Sequence, residues 1–138
     1  MLYRFNFYED KALLKVYIFG KADRQAIKAR FDRLFNDRRW KGGTKLLIDY
    51  SGVTVIDTPK GFCETLEDLL KEVPVHRFPV GIAYNFPRRH FDQCFDPGLS
   101  TVTVDRGCRI GFFKEEKEAL EWLEQLAAEH PASQKASA

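Results

Sequence analysis

The sequence is short of most features that would name a chemistry outright. Its 138 residues include only three Cys, three His and one Met. Cys63, Cys94 and Cys108 are odd in number and form no CxxC pair, so the expected setting is a reducing cytoplasm. His76, His90 and His130 are scattered, with no HxH, HExxH or Cys/His spacing, and no metal or other cofactor is expected. No apolar run approaches the roughly 18 to 20 residues needed to cross a bilayer, so no membrane insertion is expected. The polar-interrupted start YRFNFY does not read as a cleavable leader. An excess of one charge is missing too. Against 22 basic residues stand 20 acidic ones, a net +2 that offers no general field to nucleic acid or an anionic surface. Internal repeats and interdomain linkers are also absent.

What is present is apolar and aromatic. With 44% hydrophobic residues and twelve Phe, a chain of this length can bury about two thirds of its unfolded surface around one core. A single domain over 1–129 is expected, with a flexible tail over 130–138 ending in PASQKASA.

Tyr3 to Tyr8 alternates aromatic and polar residues, Glu9-Asp10-Lys11 makes a turn, and Leu13 to Phe19 resumes the alternation, which predicts an antiparallel hairpin. From Ala22 the period changes to that of an amphipathic helix. Ala26-Ile27, Phe31, Leu34-Phe35 and Arg38 share a stripe, Arg24, Lys28, Arg33 and Asp37 lie opposite, and Gly42-Gly43 ends the helix. A strand follows over Thr44 to Asp49. A second helix carries Phe62, Leu66, Leu69-Leu70 and Val73 between Pro59 and Pro74. Phe78 to Tyr84 and Arg109 to Phe113 read as strands, residues 86 to 94 as a short helical segment, and Lys114 to Glu129 as a helix. Leu99 to Asp105 is ambiguous: TVTV alternation favours a strand, whereas the βα rhythm favours a helix. The expected fold class is α/β, a five-stranded, mostly parallel sheet with an N-terminal antiparallel hairpin and flanking helices.

The segment KLLIDYSGVTVIDTPKGF, Lys45 to Phe62, carries the candidate site. A buried run ends at Asp49, a polar loop passes Ser51-Gly52, and Asp57-Thr58-Pro59 opens a helix. Polar groups are thereby set at a strand-to-helix junction, where open α/β sheets bind their ligands. Thr58 has two readings: a helix cap with Pro59 at the first helical position, or a phosphate acceptor at the positive helix end beside Lys60. Asp49 and Asp57 lack a third group that would make them an acid/base pair, and Asp49 is expected to bond loop amides or cap a helix. Cys63 reads as a small buried thiol near a helix start, and Cys94 and Cys108 likewise. Pro87-Arg88-Arg89-His90 is a basic cluster that either receives an acidic group or is simply solvated. Asp32 and Asp37 interrupt the basic helix from Arg24 to Lys41, so no nucleic-acid partner is expected. Phe86, Phe91 and Phe95 recur at helical spacing and read as core packing or as the wall of an apolar pocket.

With this element order, LLIDYSGVTVIDT resembles the STAS family, the sulfate-transporter and anti-sigma-factor-antagonist domains. There a strand ends in Asp, and an Asp-Ser/Thr pair begins the next helix. The ending Asp105-Arg106-Gly107, Phe113 and Ala119-Leu120-Glu121-Trp122-Leu123 is similar to that of SpoIIAA-like proteins of the same fold. The resemblance implies that Thr58, directly after Asp57, is the possible phosphoacceptor. The family's Asp-Ser/Thr-Ser/Thr-Gly becomes Asp57-Thr58-Pro59-Lys60-Gly61 here, a differently shaped and more basic loop. The function expected is a non-enzymatic regulatory, protein-interaction module working through the Asp57–Gly61 loop and the helix after it, with Asp49 and Ser51 beside it and a protein as partner. The alternative is a carrier of a small apolar, lipid-like ligand at Phe86, Phe91 and Phe95, which the lipid-binding relatives of the fold suggest.

Overall fold

The computed structural model describes residues 2–21, 23–55, 68–86, 101–103 and 108–129. Strand β1 (Leu2–Tyr8) turns through Glu9–Lys11 into β2 (Leu13–Lys21), followed by helix α1 (Arg24–Phe35) and β3 (Lys45–Val55). Residues 68–72 are helical (α2). A 3-10 turn at Val75–Arg77 leads into β4 (Gly81–Asn85), then β5 (Thr101–Thr103), β6 (Arg109–Phe113) and α3 (Glu116–Glu129).

The strands form one six-stranded sheet in the order β1-β2-β3-β4-β6-β5. β1 pairs antiparallel with β2, the β2–β3, β3–β4 and β4–β6 pairs are parallel, and β5 runs antiparallel to β6. The five expected strands are present. The sixth is the central part of the ambiguous Leu99 to Asp105 stretch, where alternation prevails because β6 offers a free edge to pair with.

Side-chain parity divides the sheet into two unequal faces. Leu14, Val16 and Ile18 of β2, Leu46, Ile48 and Tyr50 of β3, Ile82 and Tyr84 of β4, and Ile110 and Phe112 of β6 point to one side. They pack there against Ile27, Phe31, Leu34 and Phe35 of α1 and against Trp40, Leu69, Leu70 and Val73. On the other side Leu13, Leu47 and Ala83 meet Ala119 and Leu123 of α3. The central strands are buried on both faces, as parallel strands between helices must be.

Two boundaries differ from the sequence expectation. Helix α1 begins where Asp23 caps it, its Oδ1 accepting the N–H of Gln25 at 2.8 Å. It ends at Phe35, well before Gly42-Gly43, because Asn36 closes it and Asp37 starts a separate turn by accepting the N–H of Arg39 at 2.8 Å. Arg38 therefore lies outside the helix and is exposed. Trp40 folds back into the core, its indole N–H donating to the Arg77 carbonyl at 2.8 Å, while Arg77 donates to the Phe35 carbonyl at 2.8 Å. The second difference is that β3 does not stop at Asp49. It runs through Ser51-Gly52 to Val55 because β2 continues alongside, pairing Phe19 with Gly52 and Gly20 with Val53 across two register shifts.

Candidate functional site

The register of the parallel strands places a polar row at the C-terminal ends of the sheet. Tyr17 of β2 pairs with Asp49 of β3, Asp49 with Asn85 of β4, and Asn85 with Phe113 of β6. Paired residues share a face, so these side chains lie on the α3 side of the sheet. Asp49 is half-buried, and its Oδ1 accepts the N–H of Ser51 at 2.7 Å. Beyond it Ser51, Gly52 and Thr54 are exposed. Gly52 lies close under the Phe19 ring, where a Cβ would be 2.7 Å from Phe19 Cδ1.

Asn85 is only 7% exposed, and its Oδ1 is buried without a hydrogen-bond partner among the described residues. A buried amide oxygen left unsatisfied costs about 1–3 kcal/mol. On the same face, Lys15 Nζ meets Glu116 Oε1 at 3.4 Å, an ion pair without hydrogen-bond geometry. Lys15 also lies over the Tyr8 ring at 5.4 Å, and Arg4 over the Tyr17 ring at 5.0 Å. Burial, followed by the Glu116 carboxylate, raises the Tyr17 phenol above its ordinary range, and Lys15 opposes the shift.

The opposite face at the same end is a stack of rings. Tyr50 and Phe86 lie 5.1 Å apart and 10° from parallel, and Tyr84 and Phe112 lie 5.7 Å apart and 11° from parallel. Tyr84 links the pairs, at 5.5 Å from Tyr50 and 5.8 Å from Phe86. Phe86 is therefore committed to core packing, and burial lifts the Tyr50 phenol far above its ordinary range. This packing stiffens the backbone that carries Asp49 and Ser51.

Of the residues singled out from the sequence, the structure brings Asp49 and Ser51 together and sets Phe86 beneath them on the other face. Asp57, Thr58, Lys60, Gly61, Phe91 and Phe95 lie outside the described residues, as do Cys63, Cys94, His90 and His130. Cys108 is buried, which pushes its thiol up to about 12. His76 is exposed. Among the described residues no cluster of His, Cys, Asp or Glu could hold a metal ion, and no helix is long and apolar enough to cross a membrane.

Tyr17 and Asn85 escaped the sequence reading because strand register brings them beside Asp49, and Glu116 because the packing of α3 sets it against Lys15. One clue was available: Asn85 is the one amide in the run Ile82 to Phe86, whose other residues are apolar or aromatic. Sequence reasoning also missed an open cleft of about 550 Å³ at the opposite end of the strands. It lies between the β1–β2 turn and the connection from α1 to β3, with Phe7, Tyr8, Lys11, Arg39, Lys41 and Glu124 among its walls.

No family model matches the sequence, and no curated protein matches it. Among solved structures, the chain is similar to the crystal structure of an anti-sigma factor antagonist from Mycobacterium paratuberculosis. The likeness has a TM-score of 0.48 at 16% sequence identity and covers 89% of this chain and 95% of that one.

Proposed function

We propose that this chain is a non-enzymatic regulatory module that binds another protein at the C-terminal edge of its sheet. The working surface comprises Asp49, Ser51 and the loop Asp57–Gly61, with Thr58 as the residue whose phosphorylation switches the contact. The observation that carries the reading is the combination at the end of β3: an exposed Ser51 and a half-buried Asp49, register partner of Asn85, whose oxygen has no hydrogen-bond partner among the described residues. Acceptors held on strands backed by a ring stack lose little conformational freedom when a partner donates to them, so their contacts are preorganised. The sequence after them supports the switch. A phosphate on Thr58, next to Pro59 at the first helical position and beside Lys60, would meet the positive end of the helix expected there. The small apolar-ligand reading gains nothing from Phe86, whose ring is already packed, and it rests on Phe91 and Phe95 alone.

The test is affinity capture from native lysate with the wild type, Ser51→Arg and Thr58→Glu, together with intact-mass measurement after incubation with lysate and ATP. A protein captured by the wild type and lost or exchanged in both variants is expected, with a single phosphate gained at Thr58. Identical captured proteins across all three chains would overturn the surface, and an unmodified Thr58 would remove the switch.

A further inference from the structure

We propose that the open edge of β1 is a self-recognition surface, on which a second copy of this chain pairs antiparallel and continues the sheet. Among the described residues, β1 ends the strand order and is hydrogen-bonded to β2 on one side only. The outer side of such a strand presents a row of N–H and C=O groups. Proteins that stay monomeric blunt that row with proline, bulges or charge. Leu2–Tyr8 carries none of these devices beyond Arg4. Its register against β2 is unbroken from Leu2↔Phe19 to Tyr8↔Leu13, it has no proline or glycine, and Tyr3, Phe5, Phe7 and Tyr8 are aromatic.

A second observation points to the same edge. The large apolar side chains exposed among the described residues are Leu2, Phe19 and Val75. Leu2 and Phe19 are register partners, 75% and 42% exposed, on the face that α3 covers further along at β3, β4 and β6. Exposed apolar groups gathered beside an unpaired strand edge mark a contact.

The strand is also complementary to itself. Antiparallel pairing with full overlap sets Leu2 against Tyr8 of the second copy, Tyr3 against Phe7, Arg4 against Asn6, and Phe5 against its own equivalent. A two-fold axis at Phe5 keeps every side chain on its own face. The half-buried aromatics Tyr3, Phe5 and Phe7, which already pack on the main core, meet the same aromatic row of the second copy on one side, and Leu2 gains an aromatic neighbour on the other. No like charges are opposed along the strand. Of the two cations over this aromatic row, Arg30 at Tyr3 and Arg39 at Phe7, the latter is neutralised by Asp37 at 3.1 Å. An edge of about 20 Å contributes less than the roughly 1,600 Å² of a standard interface, so the pair is weak, with a dissociation constant on the order of 10–100 µM.

Sedimentation velocity on the full chain from about 1 to 500 µM brackets that constant and tests the pairing. The weight-average mass is expected to rise from 16.0 kDa toward twice that value. Asn6→Lys sets an ammonium against Arg4 of the other copy, twice per pair, and should weaken association at least about tenfold. Asn6→Asp sets a carboxylate there and should tighten it, with the gain lost in high salt. Melting curves confirm that both variants are folded. If either is not, amide exchange in the wild type provides the readout, with protection of Leu2–Tyr8 rising with concentration. A mass fixed at 16.0 kDa, a dimer untouched by a folded Asn6→Lys, or edge amides insensitive to concentration would overturn the proposal.

Discussion

Replacing Gly42 by alanine drives a methyl group into the backbone of the Val75–Arg77 turn. The added Cβ would overlap the carbonyl oxygen of His76 and sit 3.2 Å from Arg77 Cα, and no rotamer change can move either atom. The turn must shift, and it is held in place by several bonds. Trp40 Nε1 donates to the Arg77 carbonyl at 2.8 Å, the Gly43 N–H to the Phe78 carbonyl at 2.9 Å, and the Val80 N–H to the Thr44 carbonyl at 3.1 Å. Losing two such bonds costs about 2 kcal/mol at roughly 1 kcal/mol each, and overpacking adds about 1–3 kcal/mol, for a total of about 3–5 kcal/mol. With an unfolding entropy of about 2.1 cal/mol/K per residue, each kcal/mol lowers the melting temperature by roughly 3.5 °C, so the expected loss is about 10–17 °C. Gly52→Ala is the control. Its Cβ would meet Phe19 Cδ1 at 2.7 Å, but that ring is partly exposed and can swing away, so the cost should stay below about 1 kcal/mol. Thermal melts followed by circular dichroism decide the matter. Near-equal melting temperatures for Gly42→Ala and the wild type, or a larger loss for Gly52→Ala, would refute the reasoning.

Leu123→Ala removes a fully buried side chain between α3 and the sheet and should cost about 2–5 kcal/mol in urea unfolding, the range for leucine-to-alanine cavities. Trp40→Phe keeps an aromatic ring but leaves the Arg77 carbonyl without its indole donor, so a loss of about 1–3 kcal/mol is expected, together with the buried component of tryptophan fluorescence. With Cys63 and Cys94 replaced by serine, Cys108 should resist thiol reagents at pH 8 until urea unfolds the protein; rapid native labelling would contradict its burial. The Cys108 thiol and the Tyr50 phenol both hold their protons more tightly in the folded chain than in the unfolded one. Their contribution is therefore complete below the unfolded thiol value near 9 and is lost as pH rises from there. Cys108 accounts for at most about 1.4 kcal/mol per pH unit up to about 12. Urea midpoints from pH 8 to 11 should fall, and fall less steeply in Cys108→Ala.

Periodicity revealed those elements whose burial is regular. The hairpin from Tyr3 to Phe19, the last strand at Arg109 and the final helix through Leu123 each follow one period from end to end. Legibility failed where a partner element decides the outcome. Ser51-Gly52 has the composition of a loop, yet it is strand because Phe19 and Gly20 of β2 run alongside it. Gly42-Gly43 suggested a helix end, yet Asn36 and Asp37 stop α1 earlier, and Gly42 is needed for the close approach of the His76 carbonyl. Thr101–Thr103, where alternation and the βα rhythm disagreed, pairs as a strand because the edge of β6 is available, a long-range fact that settles the ambiguity. The site divides in the same way. Asp49 was visible as an acid closing an apolar run, whereas Tyr17, Asn85 and Glu116 join it only through strand register and the packing of α3, long-range facts that a linear pattern does not contain.

The ring stack of Tyr50, Phe86, Tyr84 and Phe112 gives the molecule a built-in gauge at its C-terminal edge. Two phenols 5.5 Å apart in fixed orientation couple their electronic transitions, and nearly parallel rings displace the magnetic resonances of protons held above them. Ångström-scale movement of the end of β3 therefore alters signals that the polypeptide emits without any attached label.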